Sequence, residues 1–168
     1  VTKPEFLGVL CDYCDVTEGA VIVKGGELLR FIGDAVLAIF TIDDADNSAE
    51  RAAHAVTEAF CKVNTRLDAA NAHRESDGDA SIAFGAGLHV GEVLYGNFGV
   101  PEHFELSVIG AVTNEGARKE CLTKQRGRYV VASRAFVDLH LDRWHSVGSH
   151  VLWDVGEEVE FFAFGKDA

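Results

Sequence analysis

Basic residues are in short supply in this chain. Lys and Arg together number 15 against 27 Asp and Glu, a formal net charge of −12. That balance argues against nucleic acid or an anionic membrane as the main partner, because both want clustered Lys and Arg. Long apolar runs are missing as well. No stretch approaches the ~20 residues that span a bilayer, and no signal peptide is expected. Cysteines number only 4, of which Cys11 and Cys14 have C-x-x-C spacing. The pair falls inside a helical pattern, not at a helix start where a thiolate would be stabilised. Cys61 and Cys121 supply no second pair, whereas a structural zinc site wants four converging ligands. Buried, reduced thiols in a cytoplasmic protein are therefore expected. The 7 His residues show neither H-x-x-x-H nor H-E-x-x-H spacing, which leaves a zinc hydrolase unsupported.

What is present suits one globular domain, residues 1–168, with 48% hydrophobic residues to build a core. A chain near this size buries roughly 70% of its unfolded surface. It begins at Val1 and not at Met, so an upstream segment is expected. Pro4 opens a helix that runs to about Val23, where Gly25-Gly26 ends it. Leu28–Ile32 and Ala35–Phe40 read as paired strands. Asn47 then supplies capping chemistry for a long helix, with Glu50 placed to complete a capping box. Its apolar stripe is Ala49, Ala52, Ala53, Val56, Phe60, Val63 and Leu67. Residues 74–80 read as a loop, Ser81–Leu88 and Glu92–Phe98 as strands, and 100–104 as a loop before a strand end at Ser107–Ile109. A helix over about 112–124, a strand at 129–132, and a short helix capped by Ser133 follow. Two strands, 150–155 and 159–164, close the chain. Helices alternating with hairpins make an α+β sandwich.

Two stretches carry chemistry. Phe31-Ile32-Gly33-Asp34-Ala35-Val36 is a Gly-Asp turn between apolar runs, and a carboxylate at such a tip is rigidly held and can face a cation. Gly-Asp is also ordinary hairpin chemistry. In the second, Ser107-Val108-Ile109-Gly110 leads to Asn114 and Arg118, four apart and hence on one helical face. Phe84-Gly85-Ala86-Gly87 leads into a strand and not a helix, so dinucleotide binding is discounted. His89, in a hairpin turn, is read as structural.

The run Arg30-Phe31-Ile32-Gly33-Asp34-Ala35-Val36-Leu37-Ala38 resembles the K-F-I-G-D-A-V-M-A segment of class III nucleotidyl cyclases. Gly87-Leu88-His89-Val90-Gly91-Glu92-Val93-Leu94-Tyr95-Gly96-Asn97, Val108-Ile109-Gly110 and Asn114-Glu115-Gly116-Ala117-Arg118 resemble that family's hairpin and signature helix, in order and with family-like spacing. The resemblance implies a ferredoxin-like β-α-β-β-α-β core whose first strand would precede Val1. It implies an adenylate cyclase, or less favourably a guanylate cyclase, turning ATP or GTP into a cyclic nucleotide and pyrophosphate. Two Mg²⁺ or Mn²⁺ ions would be held by two aspartates. Asp34 matches the second, and the first would lie in the absent strand. Asn114 and Arg118 match the transition-state pair, and Arg30 and Ser107 the purine-reading positions. A homodimer with two equivalent interfacial sites is implied.

Two departures qualify this. Trp153 stands where the family often has a triphosphate-contacting Lys, with Lys124, Arg126 or Arg128 as candidate substitutes. Ala111 replaces the acidic or amide residue common after Val-Ile-Gly. A catalytically degenerate regulatory module is therefore the alternative reading. A diguanylate cyclase of the GGDEF type, hinted at by Gly25-Gly26-Glu27, is disfavoured because the turn lies further on, at Gly33-Asp34.

Overall fold

The computed structural model describes residues 3–100, 103–110, 113, 116, 123, 130–139, 143–151 and 158–165. The chain divides into two compact units, Val1–Phe84 and Gly85–Ala168.

In the first unit, helix α1 (Lys3–Val23) leads to strands β1 (Glu27–Ile32) and β2 (Ala35–Ile39), then to helix α2 (Ser48–Ser76). Helix α1 stops as expected at the glycine pair. The N–H of Gly26 bonds Val21 O at 3.0 Å and that of Gly25 bonds Ile22 O at 3.0 Å. With Gly25 at φ 81°, this is a Schellman ending, which a residue with a Cβ rarely adopts. Gly26 is needed for a different reason. A Cβ there would sit 2.5 Å from Phe40 Cζ and 2.7 Å from Val21 Cγ1.

Helix α2 buries Ala53, Thr57, Ala59, Val63 and Leu67. Ala53, Val63 and Leu67 belong to the expected stripe; Thr57 is tolerated inside because its hydroxyl donates to Ala53 O at 2.9 Å. Ala20, Val63 and Leu67 form the centre of this unit's core, with Tyr13, Val16, Ile82 and Phe84 packed on it. Two features differ from expectation at the ends of α2. Asn47 is the N-cap, but its backbone is left-handed (φ 58°, ψ 23°) and its side chain caps nothing. A side-chain cap needs extended backbone at that position, so the capping box does not form. The Ser48 hydroxyl instead accepts from the N–H of Asp43 at 2.9 Å. The helix also runs on through Ser76 before Gly78 turns the chain with φ 82°.

The second unit holds a four-stranded sheet in the order β3 (Ala86–Leu88), β6 (Val130–Ser133), β8 (Glu158–Phe164), β7 (Trp144–Val151), and a separate ribbon of β4 (Leu94–Val100) and β5 (His103–Ile109). Strands β3 and β6 run parallel; the β6–β8 and β7–β8 pairs are antiparallel. Its core is built on Val131 and Phe161, each 1% exposed, with Val147 and Val159 against them. Ser133 caps the short helix α3 (Arg134–Val137), accepting from Phe136 N. The chain is thus α+β, and α1-β1-β2-α2-β3 follows the expected β-α-β-β-α-β series from its second element onward.

Three boundaries were misread. Only Ala86–Leu88 of the expected strand over 81–88 is strand. Asn71 explains this: its side-chain amide takes both the N–H (2.7 Å) and the C=O (3.1 Å) of Ile82, so that backbone has no bonds left for a ladder. The ribbon continues to the Val100–His103 pair, replacing the expected loop over 100–104. Strand β7 starts at Trp144, well before 150, because a bulge at Val147 and Gly148 at φ 92° absorb an irregular, polar stretch. The thiols of Cys11, Cys14 and Cys61 are free as expected, but Cys11 is exposed and not buried.

Glu160 ties the edge of this sheet to α3. Its carboxylate accepts from the Ser146 hydroxyl and from Arg134 Nη2, both at 2.6 Å, and the Arg134 guanidinium lies 4.2 Å over the Phe162 ring. The Ser146 hydrogen bond, then that of Arg134, hold the Glu160 carboxyl below the ordinary glutamate range. A carboxyl depressed in the folded state contributes stability above its unfolded value and loses it as pH falls through the folded one. Melting temperature against pH should therefore fall less steeply for Glu160→Gln than for the parent below about pH 4.3. Parallel curves would show the contact to be idle, as many exposed ion pairs are.

Candidate active site

The hairpin of β1 and β2 presents two of the residues singled out above. Its pairing runs Glu27–Ile39, Leu28–Ala38, Arg30–Leu37, Phe31–Val36 and Ile32–Ala35, leaving Gly33 and Asp34 as a two-residue turn. Gly33 has φ 65°, and Asp34 is absent from the residues of positive φ. Glycine first with φ above zero, followed by a residue with ordinary φ, is the pattern of a type II′ turn, whose twist matches that of paired strands. Asp34 is thereby held at the tip, exposed, flanked by Phe31 and Ile32 that are themselves 50% and 53% exposed.

Arg30 is half-buried within β1, and its Nε is shielded from solvent. Leu28 faces Ala38 while Arg30 faces Leu37, so Leu29 is an extra residue, a bulge next to the Arg. Sequence reading missed it; the Leu28-Leu29 doublet, which breaks alternation before a charged residue, was the available signal.

Ser107 lies in β5 opposite Gly96 of β4, and is described through its backbone. Asn114, Arg118, Ala111, Cys121, Trp153 and the cations at 124, 126 and 128 lie outside the described residues; Thr113, Gly116 and Thr123 of the signature stretch are helical. Gly85 serves close packing, since a Cβ there would collide with the Thr123 hydroxyl. His89 Nδ1 stands 2.8 Å from Ser133 Oγ, the oxygen that also caps α3, which gives this histidine a structural contact.

Among the described residues no three or more His, Cys, Asp or Glu side chains gather into a metal-binding group. Asp34 alone nonetheless suits a small hard cation. Mg²⁺ keeps several waters and commonly takes one or two carboxylates plus substrate phosphates, which an exposed carboxylate on a fixed turn can supply. No described helix is long and apolar enough to cross a membrane.

No protein-family model matches the chain. Individual proteins do. Adenylate cyclase 1 of Rhizobium meliloti (strain 1021) is 30% identical over 133 residues, 79% of this chain and 20% of that protein. The adenylate cyclase of Anabaena cylindrica is 32% identical over 133 residues, 79% of this chain and 26% of that protein. The chain thus spans only a fifth to a quarter of these relatives' length. In fold it matches the adenylyl cyclase CyaB from P. aeruginosa with a TM-score of 0.85, at 17% identity, over 100% of this chain and 86% of that one. The chain belongs to the class III nucleotidyl cyclase catalytic-domain family.

The turn geometry yields a direct test. Gly33→Ala forces a Cβ into left-handed backbone, a strain of about 1–2 kcal/mol. Thermal unfolding should show a loss of that order, and a loss near zero would mean that the turn is not held as described.

Proposed function

We propose that this domain makes cyclic AMP from ATP, as an adenylate cyclase acting at sites formed by two copies of the chain. The reading is carried by an exposed, turn-held Asp34 inside a segment of a chain whose relatives are adenylate cyclases. In the reaction the ribose 3′ oxygen attacks the α-phosphorus, its proton passes to solvent, and the bond to the bridging β-phosphate oxygen breaks to release pyrophosphate. Charge spreads over the phosphoryl oxygens, so positioning and cations supply most of the acceleration.

Asp34 would hold Mg²⁺ or Mn²⁺ jointly with the triphosphate. The bound ion would neutralise phosphate charge and favour the attacking oxygen. Arg118, always protonated and fork-shaped, is assigned to the charge that develops at phosphorus, and Asn114 to orientation of the ribose. Arg30 and Ser107 are assigned to the base. Arg only donates: it can serve adenine N1 or guanine O6 but cannot accept from guanine N1–H, while a serine hydroxyl can accept from the adenine amino group. ATP is favoured over GTP on that ground.

A second reading, a regulatory module that binds nucleotide without turnover, is favoured by Trp153. An indole has one N–H donor and no charge where the family often places Lys. The two readings part in one experiment. With Mn²⁺ present, the full-length protein should form cyclic AMP faster than cyclic GMP. Asp34→Asn and Arg118→Ala should each cut turnover by about 100-fold or more. No cyclic product from either nucleotide rejects catalysis, and nucleotide binding without product establishes the regulatory module.

A further inference from the structure

Leu28, Leu29 and Arg30 are all half-buried in β1, three in succession where a strand's period of two buries alternate residues. The bulge accounts for it: Leu29 has no partner in a ladder that passes from Leu28–Ala38 straight to Arg30–Leu37. Beyond the bulge, burial runs against composition. Arg30 is half-buried with its Nε shielded from solvent, whereas the adjacent Phe31 ring is 50% exposed. Apolar burial alone would favour the reverse, since Arg is among the residues least often buried. Bulges re-aim neighbouring side chains and gather beside active sites, and a local rule broken without a packing gain marks a functional position.

We propose that Leu29 is a positioning residue: its bulge aims the Arg30 guanidinium at the purine of the bound nucleoside triphosphate and so sets affinity and choice of base. The proposal rests on the base-reading role assigned to Arg30 above. Its geometry permits a clean perturbation. Arg30, Phe31 and Ile32 are held in register from the turn side, by Ile32–Ala35 and the pairs above it. Deleting Leu29 therefore leaves every paired residue opposite its present partner and removes the bulge alone. Leu29→Ala does the opposite, keeping the bulge and trimming the side chain.

The test measures binding of ATP and GTP by calorimetry, together with cyclic-nucleotide formation, in the full-length parent, the Leu29 deletion, Leu29→Ala, Arg30→Ala, and the deletion combined with Arg30→Ala. The deletion and Arg30→Ala are each expected to weaken ATP binding about tenfold, the scale of one charged hydrogen bond. Both should raise KM more than they lower kcat and narrow the preference for ATP over GTP. Leu29→Ala should keep the parent values. The combined variant should bind no worse than Arg30→Ala, because two changes that act through one contact do not add.

A folded deletion variant with parent affinity and base preference overturns the proposal, as does an effect that adds in full to that of Arg30→Ala. Should the deletion fail to fold, an Ala inserted between Leu37 and Ala38 gives Leu29 a partner, removes the bulge from the other strand and is judged by the same criteria. A parent that binds ATP and releases no cyclic product defeats the enzymatic reading alone, with the bulge still judged on binding. A parent that binds neither nucleotide defeats both.

Discussion

The two-residue turn at Gly33 and Asp34 is the constraint from which the candidate site follows. Because Ile32 pairs with Ala35, the register of the hairpin is fixed from the tip inward, and Phe31–Val36 and Arg30–Leu37 follow without freedom to slip. A slip of one residue in a strand pair exchanges every side chain between the two faces. One glycine with φ 65° thus determines both where a carboxylate is presented and which side of the ribbon an arginine occupies. The bulge at Leu29 sits on the far side of Arg30 from the turn, so irregularity upstream does not reach Asp34.

The rest of the first unit supports that hairpin by ending its neighbours sharply. The Schellman ending at Gly25 and Gly26 stops α1 immediately before β1. Gly26 also makes room for Phe40, the residue just past β2, so one dipeptide closes the helix and accommodates the far end of the ribbon. Helix α2 holds the following segment by a different route. The Asn71 side chain satisfies both backbone groups of Ile82, and Ile82 and Phe84 in turn complete the apolar cluster on Ala20, Val63 and Leu67. A buried backbone needs partners for its N–H and C=O, and here a side chain supplies what a strand would otherwise have provided.

Legibility in the sequence followed the range of the forces involved. The helix ends, the Gly-Asp hairpin, the Ser133 cap and much of the α2 stripe were readable because local spacing and local hydrogen bonds determine them. Asn47 misled for the same reason: capping residues are read by type, whereas its left-handed backbone removes the side chain from capping geometry. The shortened β3 depended on Asn71, 11 residues from Ile82, and no window of local pattern contains that contact. Of the candidate site, Asp34 and Arg30 were legible from a motif, but the bulge that separates Arg30 from Leu28 is a property of pairing and is written in neither strand alone.

Charge imposes the last constraint on what this site can do. A chain of net charge −12 repels a nucleoside triphosphate at long range, and Asp34 at an exposed tip adds a negative charge where a polyanion would dock. In water such repulsion is modest, but it grows as a cleft closes and solvent is excluded. A carboxylate in that position disfavours phosphate unless a divalent cation stands between them, in which case the same charge becomes an asset. The acidic composition and the fixed carboxylate therefore agree with a substrate that arrives as a metal complex. Nucleotide recruitment then falls to the few local cations, among which Arg30, with its shielded Nε, acts on the base and not on the phosphate tail.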